Sequence, residues 1–176
     1  MNSSVLLSGN SDQSVSEILD KLVKKTDLSR LEMRSIIKKI MMGELSVAEV
    51  TGIIVALRAK GETVEEIVGA VEVMRELVTE VNLGDDNIVD LCGTGGDGAS
   101  TFNISTAAMF VVAGAGSKVA KHGGRAVSSK TGSADLLESL GANINLEPED
   151  VRKSLKSTGV GFMFAPNHHP AMKNVA

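Results

Sequence analysis

A glycine-rich run directly after a short apolar stretch is the feature that most constrains this chain. Ile88–Leu91 predicts a strand, and Gly93-Thr-Gly-Gly-Asp97 follows it with Gly98 next. Glycines let the backbone leave a strand in a tight turn with its N–H groups free to point at an anion. Asn103-Ile-Ser-Thr106 then begins a predicted helix, whose first N–H groups and dipole attract negative charge. The two segments together predict a phosphate-binding site.

A second loop with similar chemistry lies further along the chain. Lys121, His122 and Arg125 supply cationic or donor groups to it. Glycines and hydroxyl residues alternate with them, namely Gly123, Gly124, Ser128, Ser129, Gly132 and Ser133. Because parallel strands end at one edge of a sheet, we expect both loops to face the same crevice. The residues alone leave two alternatives open, a glycine turn without a ligand and a solvated basic loop.

Two other nucleotide-binding motifs fit less well. Gly93-Thr-Gly-Gly-Asp-Gly98 formally satisfies the dinucleotide fingerprint, but no Asp or Glu lies between Asp97 and Asp135 to bind a ribose hydroxyl. A P-loop is excluded because Ala99, directly before Ser100, stands where Lys is required.

Few side chains suit a metal or a nucleophile. Asp97 and Ser105 offer oxygen ligands, which suit magnesium carried in with a phosphorylated substrate. His168 and His169 are adjacent, so they point apart and are expected to line a substrate pocket or to cap the next helix. Cys92 lacks an obvious partner base and is expected to be a small buried hydrophobe.

Composition narrows the class of protein. The 176 residues suit one domain, or a small helical domain plus part of a larger one. With 18 basic and 22 acidic residues, four Phe and neither Trp nor Tyr, binding to nucleic acid or to a membrane is not expected. The single cysteine favours a reducing compartment, so we expect a cytoplasmic protein. Neither a signal peptide nor a run of roughly 20 apolar residues is found.

The hydrophobic pattern divides the chain in three. Residues 1–13 are expected to form a flexible tail, and residues 14–82 a helical domain that is expected to supply the dimer contact. Its four helices should begin at capping boxes, Ser14/Glu17, Ser29/Glu32, Ser46/Glu49 and Thr63/Glu66, with Gly43 and Gly61 at helix ends.

Residues 83–176 alternate between strand and helix patterns, which predicts the first part of an α/β domain with a mostly parallel sheet. The expected strands are Ile88–Leu91, Lys118–Lys121, Ala142–Leu146 and Val160–Phe164, and the expected helices are Asn103–Val112, Ser133–Leu140 and Pro148–Lys156. The fold class is therefore α/β, a small all-helical domain followed by an α/β domain that we expect to continue in a longer protein.

The loops and the segment Phe164-Ala-Pro-Asn-His-His-Pro170 together resemble the anthranilate phosphoribosyltransferase family. The resemblance covers Ser14 to Ala176. It implies a magnesium-dependent transfer of the phosphoribosyl group of 5-phosphoribosyl 1-pyrophosphate to the amine of anthranilate, in tryptophan biosynthesis. The products would be N-(5-phosphoribosyl)anthranilate and pyrophosphate. A homodimer formed through the helices is implied as well.

The resemblance also assigns residues, none of them catalytic. Those expected at phosphoribosyl pyrophosphate are Gly93, Gly96, Asp97, Thr101, Asn103, Ile104, Ser105, Thr106, Lys121, His122, Gly123, Gly124, Arg125, Ala126, Val127, Ser128, Ser129 and Ser133. Gly93, Gly124 and His169 are expected at anthranilate, and Ser105 at Mg²⁺.

The chain departs from the family in two ways. Gly124 stands where the family usually has Asn, whose amide meets anthranilate. The family's chains are about twice as long, and their second half carries an acidic pair that binds magnesium and an Arg that faces anthranilate. If 176 residues were the whole polypeptide, we would expect weak binding of phosphoribosyl pyrophosphate and little turnover. The alternatives are a pyrimidine nucleoside phosphorylase, which has a similar Lys-x-x-Gly-Arg loop, and a non-catalytic phosphate-binding module.

Overall fold

The computed structural model describes residues 13–84, 87–93, 101–126 and 130–175. The chain divides into two compact units. One comprises the chain up to Val78 together with the segment from Ala171, and the other is Thr79–Pro170. In the described residues, no helix is long and apolar enough to cross a membrane.

Four helices form the first unit, α1 (Val15–Val23), α2 (Arg30–Met41), α3 (Val47–Lys60) and α4 (Val64–Glu76). All four begin at the predicted capping boxes, in which the N-cap hydroxyl accepts from the N3 amide and the N3 Glu accepts from the N-cap amide. These pairs satisfy two of the N–H groups that a helix start leaves open. The predicted helix starts are thus confirmed.

The core of the helical unit is apolar apart from the ion pair of Glu66 with Lys60. Ile18, Leu22, Ile36 and Ile53 are each at most 2% exposed. Glu66 is also fully buried, and its carboxylate accepts hydrogen bonds from the amides of Leu28 and Thr63 and from Lys60 Nζ. Those bonds offset the cost of burying a charge.

The segment from Ala171 closes the same unit. Asn174 Nδ2 donates to the carbonyl of Met41 at 2.7 Å, at the end of α2. Gly43 follows with φ of +73°, and a Cβ at that position would meet the Asn174 side chain at 3.3 Å. Val175 packs against the helical core. Residues far apart in sequence therefore complete one end of this bundle.

The second unit contains a three-stranded parallel sheet. Its strands are β1 (Ile88–Val89), β2 (Lys118–Gly123) and β3 (Val160–Phe164), in the order β1-β2-β3. Helix α5 (Ile104–Gly114) connects β1 to β2, and α6 (Ser133–Ser139) and α7 (Pro148–Thr158) connect β2 to β3. A short helix α8 (Ala165–His168) and a 3₁₀ helix (Pro170–Asn174) follow β3. The predicted helical and parallel α/β architecture is confirmed.

Register and burial explain the position of the central strand. Val119 of β2 pairs with Val89 on one side and with Val160 on the other, and Gly123 is opposite Phe164. Val119, Met109 and Ala134 are fully buried. A parallel strand covered on both faces is apolar where it is buried, as β2 is at Val119 and Ala120.

Two predicted strands need correction. Ala142–Leu146 contains no strand, because Asn143 accepts the Asn145 amide in a local turn while Ile144 alone is buried. The strand predicted for Ile88–Leu91 pairs only as far as Val89, and beyond it side chains replace the backbone ladder. A strand forms only where a neighbouring strand pairs with it, and an apolar sequence pattern does not show whether such a neighbour exists.

Candidate phosphate-binding site

The carboxyl ends of β1 and β2 are joined by side-chain hydrogen bonds. Lys121 Nζ donates to the Leu91 carbonyl at 2.7 Å, and the His122 amide donates to Asp90 Oδ1 at 3.2 Å. These bonds continue the link between the strands past Val89. They fix the backbone at the point where it enters the predicted glycine loop.

Lys121 has a different place from the one that sequence reasoning gave it. It was expected to bring a cation to the second loop, but it lies within β2 and is 1% exposed. Burial lowers the pKa of Lys121, although the nearby Cys92 and Asp90 act in the opposite direction. Its side chain holds the first loop through Leu91 instead of extending into the second.

The starts of α5 and α6 are tied together. Thr106 Oγ1 donates to Ser133 Oγ at 2.9 Å, and Asn103 Nδ2 donates to the Gly132 carbonyl at 3.0 Å. The Ala134 amide donates to the Gly124 carbonyl at 3.0 Å. The segment Asn103–Thr106 thus lies beside Ser133 and the end of β2. This is the arrangement expected if the two segments line one crevice.

The start of α5 differs from those of α1 to α4. Asn103 is its N-cap but makes no side-chain cap within the described residues, and the first turn contains no acidic residue. The side-chain amide of Asn103 donates to the Gly132 carbonyl instead. Ser105 lies half-buried in that first turn. The amides of Ile104 and Thr106 donate to the carbonyls of Phe102 and Asn103, whereas the Ser105 amide has no acceptor among the described residues. The Ser105 amide and hydroxyl, together with the helix dipole, make this helix start suited to an anion.

Arg125 is paired with acidic side chains of α6. Its guanidinium donates to Asp135 at 2.9 Å and to Glu138 at 2.8 Å, and it lies 5.7 Å from the centre of the Phe164 ring. These carboxylates raise the pKa of Arg125. The side chain is 49% exposed, so a phosphate could reach it only in competition with Asp135 and Glu138.

Two histidines meet at the ends of β2 and β3. The rings of His122 and His169 make an edge-to-face contact with their centroids 5.2 Å apart. Burial lowers the pKa of both imidazoles, so they are neutral at pH 7 and offer hydrogen bonds in place of charge. His168 is buried, and within the described residues neither of its ring nitrogens has a hydrogen-bond partner. That the two adjacent histidines point apart stays a prediction.

The remaining predicted residues are placed as follows. Gly93 and Thr101 are exposed, while Gly123, Gly124 and Ala126 are half-buried at and after the end of β2, and Ile104 is exposed at the start of α5. Gly96, Asp97, Val127, Ser128 and Ser129 lie outside the described residues. Cys92 is exposed, so the expectation that it is buried was wrong. It lies three residues after Val89, the last paired residue of β1.

Sequence reasoning missed two acidic residues that organise this region, Asp90 and Asp135. Asp135 is the third residue of α6, where an acidic side chain accepts the amide of the N-cap residue. The N-cap here is Gly132, in place of the Ser or Thr of the usual capping-box signature. No group of three or more His, Cys, Asp or Glu side chains suited to a metal occurs in the part of the chain that the structure describes. Among these residues, Ser105 remains the predicted ligand for Mg²⁺.

The chain is similar to known proteins along most of its length. The helical bundle domain of a glycosyl transferase family matches residues 16–78, and the a/b domain of that family matches residues 85–176. Anthranilate phosphoribosyltransferases from Polynucleobacter asymbioticus and Hydrogenovibrio crunogenus are 58% and 57% identical over 160 residues, 90% of this chain. The chain spans 47% of the length of each of them.

Solved structures agree with the sequence relatives. The anthranilate phosphoribosyltransferase of Thermus thermophilus has a TM-score of 0.80 at 40% identity, covering 90% of this chain and 48% of that one. The Saccharomyces cerevisiae enzyme, in complex with PRPP and Mg, has a TM-score of 0.81 at 29% identity, covering 92% and 49%. The predicted resemblance to anthranilate phosphoribosyltransferases is confirmed. With both of its domains matched, the chain belongs to the glycosyl transferase family that comprises this helical bundle and this a/b domain.

Proposed function

We propose that this chain forms the phosphoribosyl pyrophosphate site of an anthranilate phosphoribosyltransferase. The observation that carries the proposal is the junction of Asn103 and Thr106 with Gly132 and Ser133, which brings the start of α5, with the amide and hydroxyl of Ser105, next to the end of β2. Backbone N–H groups and hydroxyls that converge in this way are suited to a diphosphate. The names of the relatives support anthranilate as the acceptor.

The reaction needs little from the protein beyond binding and electrostatics. The bond from the ribose C1 to the pyrophosphate oxygen breaks, the anthranilate nitrogen bonds to C1, and that nitrogen releases a proton. Positive charge builds on the ribose and negative charge on the leaving pyrophosphate, so N–H and hydroxyl donors directed at the latter lower the barrier. An arylamine is unprotonated at neutral pH, and no protein nucleophile is required.

Magnesium fits the oxygen donors of this region. Hard divalent cations of this kind keep several waters and bind through substrate phosphates. The Ser105 hydroxyl would be one protein ligand. Asp97, the other oxygen ligand that the sequence suggests, lies outside the described residues. When bound with the substrate, the ion supplies charge neutralisation at the leaving phosphates. The solved complex with PRPP and Mg supports the pairing of ion and substrate.

The test is the loss of anthranilate fluorescence on addition of phosphoribosyl pyrophosphate and Mg²⁺, with protein whose intact mass matches the full length of its relatives; for the 176 residues alone we expect little turnover. We expect the signal to fall only when both are present, and Ser105→Ala to slow the loss about tenfold or more while Ser139→Ala, on the exposed end of α6, does not. Phosphorolysis of thymidine or uridine would instead favour a nucleoside phosphorylase. Binding of phosphoribosyl pyrophosphate without turnover would favour a non-catalytic module.

We also propose that the helical unit forms a homodimer. Leu22 and Val23 of α1 and Gly52, Val55 and Ala56 of α3 line an apolar groove, in which Val23 is 74% and Val55 61% exposed. A second copy would remove this surface from water. We expect Val55→Glu to reduce the mass measured by light scattering, and Val64→Glu, which is exposed outside the groove, to leave it unchanged.

We also propose that the protein is cytoplasmic. The thiol of Cys92 is free and exposed, and such a thiol persists in a reducing compartment. Fractionation of cells that express the protein would test this proposal, and recovery outside the cytoplasmic fraction would overturn it.

A further inference from the structure

We propose that Asp135 is a positioning residue that holds the two ends of the β2–α6 connection together and so sets the geometry of the phosphate site. The inference rests on the proposed function for the identity of the ligand. The holding of the two ends can be tested without a ligand.

One carboxylate receives donors from both ends of the connection. Asp135 Oδ2 accepts the amide of Ala126 at 2.9 Å and the amide of Gly132 at 2.8 Å. Its other oxygen accepts from the Arg125 guanidinium at 2.9 Å. Among the described residues these two amides have no other acceptor. A single side chain therefore fixes where the chain leaves β2 and where it enters α6.

Backbone contact between the two ends makes such an acceptor necessary. A Cβ at Gly132 would lie 2.3 Å from the carbonyl carbon of Arg125 and 2.4 Å from the amide nitrogen of Ala126. With the backbones this close, the two amides lie side by side. A shared anionic acceptor makes that arrangement favourable, since two N–H groups directed at one point repel each other without it.

The same residues position the start of α5. The carbonyl of Gly132 accepts from Asn103 Nδ2, and the next residue, Ser133, accepts from Thr106. A displacement of Gly132 would therefore move the hydrogen bonds that hold α5 beside β2. Asp135 acts on the site through this chain of contacts.

Charge excludes a direct role for Asp135 in binding an anion. A carboxylate beside a phosphate is repulsive unless cations and N–H groups compensate it. Here the amides of Gly132 and Ala126 and the guanidinium of Arg125 provide that compensation, and they lower the pKa of Asp135 so that it stays ionised at neutral pH. The groups that donate to Asp135 all belong to the protein, as expected for a residue that positions neighbouring residues and does not bind the ligand itself.

The matched control is Glu138. It also binds the Arg125 guanidinium, at 2.8 Å, but it accepts no amide from the connection. Asp135→Ala and Glu138→Ala each remove one carboxylate from Arg125, and only the first frees Ala126 and Gly132. Asp135→Asn, which keeps an acceptor oxygen, serves if the alanine variant fails to fold.

The first measurement is tryptic cleavage of the native protein after Lys130, an exposed residue between the two ends. Cleavage in a folded protein follows local opening. We expect Asp135→Ala to accelerate this cleavage about tenfold, Asp135→Asn to give a smaller increase, and Glu138→Ala to remain within about twofold of the unsubstituted chain. Equal rates for Asp135→Ala and Glu138→Ala would overturn the proposal.

The second measurement is the affinity for phosphoribosyl pyrophosphate with Mg²⁺, followed by ³¹P NMR. We expect Asp135→Ala to weaken it about tenfold and Glu138→Ala to leave it within about twofold. Faster cleavage with unchanged affinity would show that the carboxylate does not position the site, which overturns the inference. If the unsubstituted chain bound no phosphoribosyl pyrophosphate, the proposed function would fail, and the cleavage ratio would still decide whether Asp135 holds the two ends.

Discussion

The hydroxyl of Thr106 donates a 2.9 Å hydrogen bond to the hydroxyl of Ser133, which joins the first turns of α5 and α6 across 27 residues of sequence. Thr106 is fully buried, and Ser133 is half-buried. Because one helix follows the predicted glycine loop and the other follows the basic loop, this bond links the two segments that the sequence assigns to phosphate.

Replacement of Thr106 by Val tests that link. We expect it to lower the free energy of unfolding by about 1 kcal/mol, because a buried hydrogen bond is lost and the Ser133 hydroxyl loses its donor. It should also weaken binding of phosphoribosyl pyrophosphate. Urea unfolding measures the first effect, and Ser139→Ala, whose hydroxyl bonds to Leu136 at an exposed helix end, is the control with a change within about 0.5 kcal/mol. Equal losses in both variants would contradict this prediction.

Gly132 should not tolerate a side chain. Its φ of −90° is open to any residue, so the restriction comes from the backbone of Arg125 and Ala126, within 2.4 Å of a Cβ. We expect Gly132→Ala to reduce stability by about 1–3 kcal/mol as the two ends separate. Gly114→Ala, at the end of α5 with nothing within 4 Å of its Cβ, should be neutral or slightly stabilising. Thermal unfolding of both variants gives the comparison.

Local chemistry explains which parts of this structure could be predicted. The starts of α1 to α4 follow from Ser or Thr and Glu three residues apart, and such pairs act within one turn. Strand β3 was predicted at its observed bounds, Val160–Phe164. The alternation of strands and helices also indicated a parallel sheet, and therefore the edge at which β1 and β2 both end.

Tertiary contacts explain what could not be predicted. Lys121 was placed at the end of its strand, but β2 continues to Gly123, which buries the Lys121 side chain. The bond from the His122 amide to Asp90 and the bonds to Asp135 depend on the pairing of strands and on the path of the connection. Asp135 could have been found by searching for an acidic third position after a glycine N-cap.

The buried Glu66 should make the helical unit sensitive to acid. Burial raises the pKa of Glu66, but hydrogen bonds from Thr63, Leu28 and Lys60 outweigh it and leave the pKa below its ordinary value of 4.5. The unfolded chain therefore takes up the proton first as the pH falls. The contribution of Glu66 to stability is fully present above 4.5 and is lost as the pH falls through the folded-state pKa.

Glu66→Gln measures that contribution. At neutral pH we expect a loss of about 3 kcal/mol, because Lys60, whose side chain is 3% exposed, keeps only the exposed Asp27 as an ionic partner among the described residues. Urea unfolding over a pH series should show the gap to the unsubstituted chain narrowing below pH 4.5. Glu49→Gln, in the exposed capping box of α3, should cost much less. A gap that does not change with pH would contradict this account.

Burial should keep the imidazoles of His122 and His169, whose rings are in contact, neutral at pH 7. Burial is the main cause of the lowered pKa of His122, and the charge of His169 is the second. In ¹H–¹³C NMR titrations we expect both rings to titrate below 6.5, their ordinary value, and the unfolding free energy to decrease as the pH falls below 6.5, because the unfolded chain binds these protons more readily. His169→Phe removes the neighbouring charge and keeps an aromatic ring. If burial dominates, His122 still titrates below 6.5 in that variant, and a return to 6.5 would assign the shift to His169 instead.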